Sequence, residues 1–404
     1  MIERLNDKLV VFDENESFQA EHSLYTFGGP QAISFGKDKI IEEVLTYCGE
    51  DLEDAAVIKK IKDYHKQGSS IVNYTGKLPY GNEVEFEHTY RYRSNRVRIT
   101  SDINIPAGAS IDRHFGLGSL FLPGKWEKMY VMPPAQHQVD GAGPYFRKIP
   151  KYSGEKVMVG HWHRPPLSVV FYRKNGTRVE IGTGSDLWRW EKSFGYHPES
   201  GNYKIILHED GLEFVREPLA CCETFTPVKG QYRFSWYIAW DQERIIEKPN
   251  HNFKYVELNA DGKVDLSAYK DLDEDLYVSM DISEIEWPEN FYRCDSPVEY
   301  VIGEGSEVSW MNGSFVTRMR KIARQLIEDP KVKGLRLKGM EPGISFHSAH
   351  VNKKDALGTV HWDINALMDF TAWFKDKAQA ENKLELFLDI DEDWNLPSVK
   401  GLFS

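Results

Sequence analysis

The sequence predicts a mainly β protein, a large antiparallel β-sandwich with a small α+β element at the C-terminus. Aromatic residues make up 13% of the 404-residue chain, and aromatic side chains favour the half-buried surface of a pleated sheet. Short apolar segments of strand character recur between residues 84 and 240. Few helical patterns interrupt them, so a sandwich or barrel is favoured over alternating strand and helix units.

Residues 1–75 are expected to form an N-terminal region of strands with one helical segment. Residues 1–36 alternate weakly and include a Gly-Gly-Pro turn signal at residues 28–30, which predicts one or two strands. Residues 38–65 space their apolar side chains mostly at intervals of three and four. This spacing predicts a helical hairpin or an inserted helical turn.

Residues 76–300 are expected to form the body of the sandwich. Val84–Ile105 contains two alternating segments around Ser94-Asn95, which predicts an antiparallel strand pair. Two further turn signals, Asn175-Gly176 and Asp210-Gly211, are typical of hairpins whose turns need a positive φ.

Residues 301–404 are expected to form the α+β element, packed on the body. Residues 314–329 carry apolar side chains at three-four spacing just before Pro330, which predicts a helix. The pattern then predicts a strand at 334–339, a helix at 363–380 and a strand at 383–390. Ahead of this element, the acidic segment at 261–300 is predicted to cover a sheet edge or to form a strand with exposed charges.

Charge and cysteine content argue against several classes of partner. The formal net charge is -12, whereas binding to a nucleic-acid backbone rests on clustered Lys and Arg. Two of the four cysteines, Cys221 and Cys222, are adjacent, which is poor geometry for a disulfide framework and fits a reducing compartment. The chain shows no membrane-spanning stretch and no signal peptide. We therefore expect a cytoplasmic protein, or a secreted one if an export signal was removed, that can form a homo-oligomer.

The stretch Val157–Trp190 concentrates the candidate site residues. It begins with His161-Trp162-His163-Arg164, and residues i and i+2 of a strand face the same side. The two imidazoles could therefore reach one substrate or one divalent metal ion. A cupin-type metal motif carries a Glu about five residues later, which this chain lacks. No cofactor is expected, and the alternatives are a metal-free catalytic pair or one buried and one exposed histidine.

A second group in this stretch is Asp186, Trp188 and Arg189, which follow a Gly-rich turn at 182–185. Aromatic faces pack on the C–H surface of a sugar, and planar polar side chains hydrogen-bond its hydroxyls. This group therefore suits sugar binding. Alternatively, Trp188 and Trp190 point the same way along a strand and fill the core.

Val157–Trp190 as a whole is predicted to be a β-hairpin turning at Asn175-Gly176. A hairpin would place the histidine pair and the Trp188 group on the same edge of the sheet. The two groups could then share one site although they are more than 20 residues apart in the sequence.

Two other segments offer acid–base candidates. His114 lies beside glycines after the predicted strand pair, where loops commonly carry function; alternatively, Asp112 and Arg113 only shape that loop. His137 and Tyr145 lie in a polar, Gly-rich loop and could act as base and acid, or the loop has no catalytic role.

Three segments at predicted strand ends, FGLGSLFLPGKW, HWHRPP and SDLWRW, resemble the galactose-mutarotase-like super-sandwich of carbohydrate enzymes. The resemblance covers less than half of the chain. It implies a two-sheet sandwich whose concave face binds sugar, with histidines and a carboxylate as acid and base. The histidines it implicates are His114, His137, His161 and His163. The carboxylate cannot be selected from 62 acidic residues without distances.

Two functions follow from these observations. The first is a carbohydrate-active enzyme, a lyase, hydrolase or epimerase, that uses a histidine with a tyrosine or carboxylate for proton transfer. Its sugar-binding residues would be Trp162, Arg164, Asp186, Trp188 and Arg189. The second is a non-catalytic glycan-binding or structural β-sandwich protein whose aromatic residues pack the core.

Overall fold

The computed structural model describes most of the chain. The residues outside its description are 14–16, 49–53, 79–83, 108–114, 133–143, 163–165, 185–202, 218–229, 244–250, 259–261, 270–274, 289–307, 311, 341–343, 346–360, 363, 382–383, 390–394 and 401–404.

The chain divides into two compact units, which we call the sandwich unit (Met1–Asp241) and the C-terminal unit (Gln242–Ser404). The sequence patterns predict boundaries at residues 75 and 300. The N-terminal strands instead hydrogen-bond into the same sheets as the later ones, and the chain after Asp241 belongs to the second unit.

The sandwich unit contains nineteen described strands. In chain order they are β1 (Ile2–Leu5), β2 (Lys8–Phe12), β3 (Phe18–Ser23), β4 (Ala32–Phe35), β5 (Asp38–Cys48), β6 (Asp54–Ala55), β7 (Val57–Lys66), β8 (Ser69–Leu78), β9 (Val84–Arg93), β10 (Arg96–Ile105), β11 (Phe115–Pro123), β12 (Lys128–Met132), β13 (Tyr145–Lys148), β14 (Val157–Trp162), β15 (Ser168–Tyr172), β16 (Thr177–Thr183), β17 (Tyr203–Leu207), β18 (Gly211–Arg216) and β19 (Gly230–Gln242).

These strands form two large sheets. The first sheet has the order β1-β2-β3-β4-β5-β11-β18-β17-β14, with β6 beside β5, and the second has the order β13-β12-β15-β16-β19-β10-β9-β8-β7. All of the registers described within the two sheets are antiparallel. The predicted antiparallel β-sandwich is confirmed, together with the strand pair β9–β10 and the hairpins at Asn175-Gly176 and Asp210-Gly211.

The core of the sandwich lies between the two sheets. Its larger hydrophobic cluster takes Val44 and Leu120 from the first sheet and Val72 and Ile99 from the second, and all four are almost completely buried. Alternate residues of each strand point into this core. The remaining positions form the outer faces of the sheets, and they carry most of the polar side chains.

The helical segment expected at residues 38–65 is wrong, because these residues form β5, β6 and β7. Bulges explain the misleading spacing. Ile33 pairs with Ile41 while Ser34 pairs with Lys39, so β5 holds one extra residue and two adjacent isoleucines are buried. A similar irregularity interrupts β7 between Ile58 and Lys60. An inserted residue places successive inward-facing apolar side chains three positions apart instead of two, which resembles the spacing of a helix. Residues 1–36 likewise form four strands instead of one or two.

The predicted hairpin over Val157–Trp190 also needs correction. Its second half is right, because β15 and β16 pair around Asn175-Gly176. Its first half, β14, pairs with β17 as an edge strand of the other sheet. The Thr183 hydroxyl donates a hydrogen bond to the Pro166 carbonyl at 2.6 Å, which continues the β15–β16 pairing by one position.

The C-terminal unit is built on a parallel sheet with the order β20-β21-β22-β25. Its described elements are β20 (Lys254–Tyr255), a 3-10 turn (Ser267–Tyr269), β21 (Leu276–Asp281), α1 (Gly313–Glu328), β22 (Val332–Lys338), β23 (Ile344–Ser345), β24 (His361–Trp362), α2 (Ile364–Glu381), β25 (Glu385–Asp389) and α3 (Pro397–Lys400). The predicted helices and strands are thus present. Helical crossovers join β21 to β22 and β22 to β25, which makes the strands parallel and the unit α/β. No described helix is long and apolar enough to cross a membrane.

Candidate functional site

Of the ten residues that the sequence nominates for the site, the structure describes three: Tyr145, His161 and Trp162. The other seven lie outside the described residues: His114, His137, His163, Arg164, Asp186, Trp188 and Arg189. Their roles stay predictions.

Trp162 and Tyr145 both border the core. Trp162, at the end of β14, is partly buried and packs against the larger hydrophobic cluster. Its ring lies over Gly160, where a Cβ atom would come within 2.5 Å of it. Tyr145 packs against the same cluster from β13, the edge strand of the second sheet. Both side chains therefore help to close the same end of the core.

His161 lies on the outer face of the first sheet. Its neighbour Trp162 packs on the core, and successive side chains of a strand point to opposite faces. The cross-strand partner of His161 is Lys204 on β17, whose own neighbour Tyr203 is a core residue. His161 and Lys204 thus occupy adjacent positions on one outer face.

A polar cluster continues from Lys204 across the same face. We call it the Glu217 cluster, and it comprises Tyr47, Ser119, Lys204 and Glu217. The Lys204 ammonium lies 3.3 Å from Glu217 Oε2, and the Tyr47 hydroxyl donates to Glu217 Oε1 at 3.1 Å. The Tyr47 and Ser119 hydroxyls are 3.3 Å apart. The cluster thus gathers side chains from β5, β11 and β17 and from the residue that follows β18, which are four neighbouring strands of the first sheet.

Glu217 is nearly buried, with its side chain 5% exposed. A carboxylate in such surroundings needs charged or hydrogen-bonding partners, and Lys204 and Tyr47 supply both. Burial and the negative charge of Glu217 raise the pKa of Tyr47 well above its usual value. Tyr47 therefore stays protonated at neutral pH and acts as a hydrogen-bond donor.

The local sequence explains how Tyr47 reaches this position. Gly116 on β11 lies opposite Tyr47, and a Cβ atom there would come within 2.1 Å of the Tyr47 ring. Only glycine leaves room for the ring to lie across the neighbouring strand. Ser119 is held in turn, since its Oγ accepts a hydrogen bond from the Arg216 backbone N–H at 2.9 Å.

Sequence reasoning did not find Glu217, Tyr47 or Lys204. Glu217 and Tyr47 are 170 residues apart in the chain, and nothing near either residue marks it among the other acidic and aromatic residues. The sequence did contain one signal, the alternation of β18, which places Glu213, Val215 and Glu217 on one face. It could not say that this face also holds His161.

A second buried carboxylate, Glu180, lies on the outer face of the second sheet. Glu180 Oε1 accepts hydrogen bonds from Ser168 Oγ at 2.7 Å and from the Tyr237 hydroxyl at 2.6 Å. A Cβ atom at Gly182 would come within 2.0 Å of the Tyr237 ring, so this glycine allows the tyrosine to lean over β16. The Glu217 cluster is the better acid–base candidate, because His161 lies on the same face of its sheet.

The described residues contain no group of three His, Cys, Asp or Glu side chains arranged to hold a metal ion. His163, the proposed metal-binding partner of His161, is not among them. The chemistry that the described geometry offers is proton transfer, between a carboxyl group and an imidazole on the same sheet face.

No protein-family model matches the chain, and no curated protein matches its sequence. Similar solved structures include the family 36 α-galactosidase of Geobacillus stearothermophilus, with 8% identity and a TM-score of 0.41, which covers 98% of this chain and 74% of the galactosidase.

Two further similar structures are a galactose mutarotase-related enzyme of Lactobacillus acidophilus and a family 97 glycoside hydrolase of Pseudoalteromonas sp. strain K8 in complex with panose. The first has 9% identity, a TM-score of 0.33 and coverage of 60% of this chain and 97% of that chain. The second has 11% identity, a TM-score of 0.36 and coverage of 98% and 68%. One fold can host many activities, so the activity of this chain has to be argued from the site.

Proposed function

We propose that the sandwich unit belongs to a carbohydrate-active enzyme in which Glu217 acts as the general base and His161 as the general acid. The observation that carries this proposal is the convergence of Tyr47 and Lys204 on the buried Glu217 carboxylate, on the sheet face that also bears His161. Lys204 places a positive charge 3.3 Å from one carboxylate oxygen. Tyr47 fixes its orientation.

The spacing of the two groups suits a single sugar ring. β14 and β18 are separated only by β17, so their axes lie about 10 Å apart. A ring bound between them would present one side to the carboxylate and the other to the imidazole. The predicted sugar-binding residues Arg164, Asp186, Trp188 and Arg189 would supply stacking and hydrogen bonds.

The reaction that needs the fewest additional groups is opening and closing of an aldose ring, which is an epimerase activity. Glu217 takes the proton of the anomeric hydroxyl as the C–O bond to the ring oxygen breaks, and protonated His161 gives a proton to that oxygen. Closure on the opposite face reverses both transfers and yields the other anomer. Lyase and hydrolase chemistry would use the same base and acid on a glycosidic substrate.

Three variants test this assignment. We expect Glu217→Gln and His161→Ala each to lower turnover about 100-fold or more, because general acid–base groups contribute that much, while circular dichroism remains unchanged. Glu213→Gln is the matched control, since Glu213 lies on the same strand and pairs with His208. Its turnover should equal that of the wild type. Full activity in His161→Ala would remove this histidine from the mechanism.

The second candidate is a non-catalytic glycan-binding or structural protein. It is favoured by the fact that both Glu217 oxygens already have protein partners, as in a purely structural polar network. A glycan array followed by mass spectrometry detects binding and products of changed mass, and exchange NMR of free aldoses detects anomer interconversion, which leaves the mass unchanged. Together these measurements separate the two candidates. Enzymatic activity gives a changed product or anomer exchange, whereas the alternative gives saturable binding without product, or no binding.

A further inference from the structure

A layer of polar side chains divides the interior of the sandwich unit. Its members are Thr46, His88, Ser101 and Arg216, all at most 3% exposed. Each lies at an inward-facing strand position between the larger hydrophobic cluster and a smaller one that includes Cys48, Phe86, Ile103 and Leu117. If these four side chains were apolar, the two hydrophobic clusters would form one continuous core. Buried polar groups need hydrogen-bond partners, so the presence of these residues requires a physical explanation.

Arg216 is the only cation of this layer, and no described carboxylate lies within ion-pair distance of it. Its Nη1 donates to the Leu117 carbonyl at 2.6 Å, and its guanidinium lies 4.9 Å from the ring centre of Trp236. Tyr203 also contacts it, with the guanidinium 5.9 Å from the ring. These neighbours accept hydrogen bonds or offer π electrons, but they do not neutralise a buried positive charge.

Two further buried nitrogens beside Arg216 have no hydrogen-bond partner among the described residues. They are His88 Nδ1 and Trp236 Nε1. The other ring nitrogen of His88, Nε2, lies 3.0 Å from the Thr46 hydroxyl. When that hydroxyl donates to Nε2, Nδ1 carries the proton and becomes a donor. The layer then contains a cation without a described counterion and two donors without a described acceptor.

We propose that the polar layer binds a small monovalent anion such as chloride, held by the Arg216 guanidinium with the His88 Nδ1–H and Trp236 Nε1–H groups as donors. A water molecule could satisfy the donors but would leave the buried charge of Arg216 without a counterion. The surrounding side chains are almost completely buried, so the ligand has to be small. The site lies in the interior, distinct from the Glu217 cluster, and does not depend on the proposed enzymatic activity.

Bromide is a suitable probe because it resembles chloride and scatters anomalously. We expect crystals of the full chain grown in sodium bromide to show an anomalous peak in contact with the Arg216 guanidinium, His88 Nδ1 and Trp236 Nε1. A water molecule at this position, or a carboxylate from another part of the chain beside Arg216, would overturn the proposal.

A solution experiment tests the same site without crystals. The melting temperature should rise by roughly 5 °C between sodium gluconate and sodium bromide of equal ionic strength, when bromide is present at about 100 times its Kd. The bromide effect should disappear in Arg216→Met. It should persist in Arg178→Met, a matched control whose buried arginine is paired with Asp241 at 2.7 Å. Equal melting temperatures of the wild type in both salts would refute anion binding, whether or not Arg216→Met folds.

Discussion

At the scale of single residues, the sandwich unit keeps several polar groups in its interior, among them His22, His88 and Arg216. His22 shows how they are accommodated: its two ring nitrogens lie 2.8 Å from the hydroxyls of Tyr74 and Tyr92. Tyr74 and Tyr90 in turn donate to the Gly29 and Gly28 carbonyls. Such networks are stable only while each member keeps its protonation state.

We therefore predict that the protein loses stability in mild acid. Burial lowers the pKa of His22 and of His88 to about 3, and the nearby Arg216 charge adds to the effect at His88. In the unfolded chain the pKa of each histidine is about 6.5. Between these values the unfolded state binds more protons, so the free energy of unfolding falls as the pH falls, by about 1.4 kcal/mol per pH unit for each histidine.

Urea unfolding at several values between pH 7 and pH 4 measures this dependence. Other titrating groups also change the free energy of unfolding with pH. The informative quantity is therefore the difference in pH dependence between the wild type and His88→Gln, a variant that keeps a polar partner for Thr46. Below about pH 6, the free energy of unfolding should fall by about 1.4 kcal/mol less per pH unit in His88→Gln than in the wild type. Parallel curves for the two proteins would show that His88 is not buried in its neutral form.

A second prediction at this scale concerns the glycine beneath Tyr47. Gly116→Ala places a methyl group within about 2.1 Å of the Tyr47 ring, so the ring has to move away from Glu217. We expect the free energy of unfolding to fall by about 1–3 kcal/mol and turnover to fall with it. Gly313→Ala, which has open space around its Cβ position, serves as the control. Unchanged turnover in Gly116→Ala would mean that the Tyr47 contact does not matter for activity.

At the scale of elements, bulges account for the largest disagreement between the sequence pattern and the fold. In β5, Glu43 has a φ of +44°, a left-handed conformation that costs energy for any residue with a side chain. It lies where β5 has an extra residue relative to β11, since Leu45 pairs with Ser119 and Glu42 with Phe121. The irregular strand keeps both Ile40 and Ile41 in the core.

This geometry predicts opposite effects for the same substitution at two adjacent positions. Glu43→Gly should raise the free energy of unfolding by up to about 1 kcal/mol, because glycine adopts a positive φ without strain. Glu42→Gly, at a position without a positive φ, should lower it by about 1 kcal/mol. Chemical denaturation of both variants measures the difference, and a loss of stability in Glu43→Gly would contradict the left-handed bulge.

At the scale of the whole molecule, a sandwich unit whose described strand registers are antiparallel is followed by a unit with a parallel sheet. The first buries its core between two sheets. In the second, α1 and α2 lie in the connections between consecutive parallel strands. The candidate acid–base site and the proposed anion site both belong to the first unit, on opposite faces of the first sheet, because Arg216 points inward and its neighbour Glu217 points outward.

The sequence by itself determined the fold class, most of the later strands and the helices of the C-terminal unit. These features depend on local alternation, on turn residues such as Asn175-Gly176 and on three-four spacing, and a short window of sequence contains them all. It also nominated His161 as a candidate. The tertiary structure decided which strands are neighbours, and with them the bulges of β5, the sheet to which β14 belongs and the carboxylate that accompanies His161. These depend on contacts between residues up to 170 positions apart, whose pairing is set by the packing of the two sheets and leaves no mark in the local sequence.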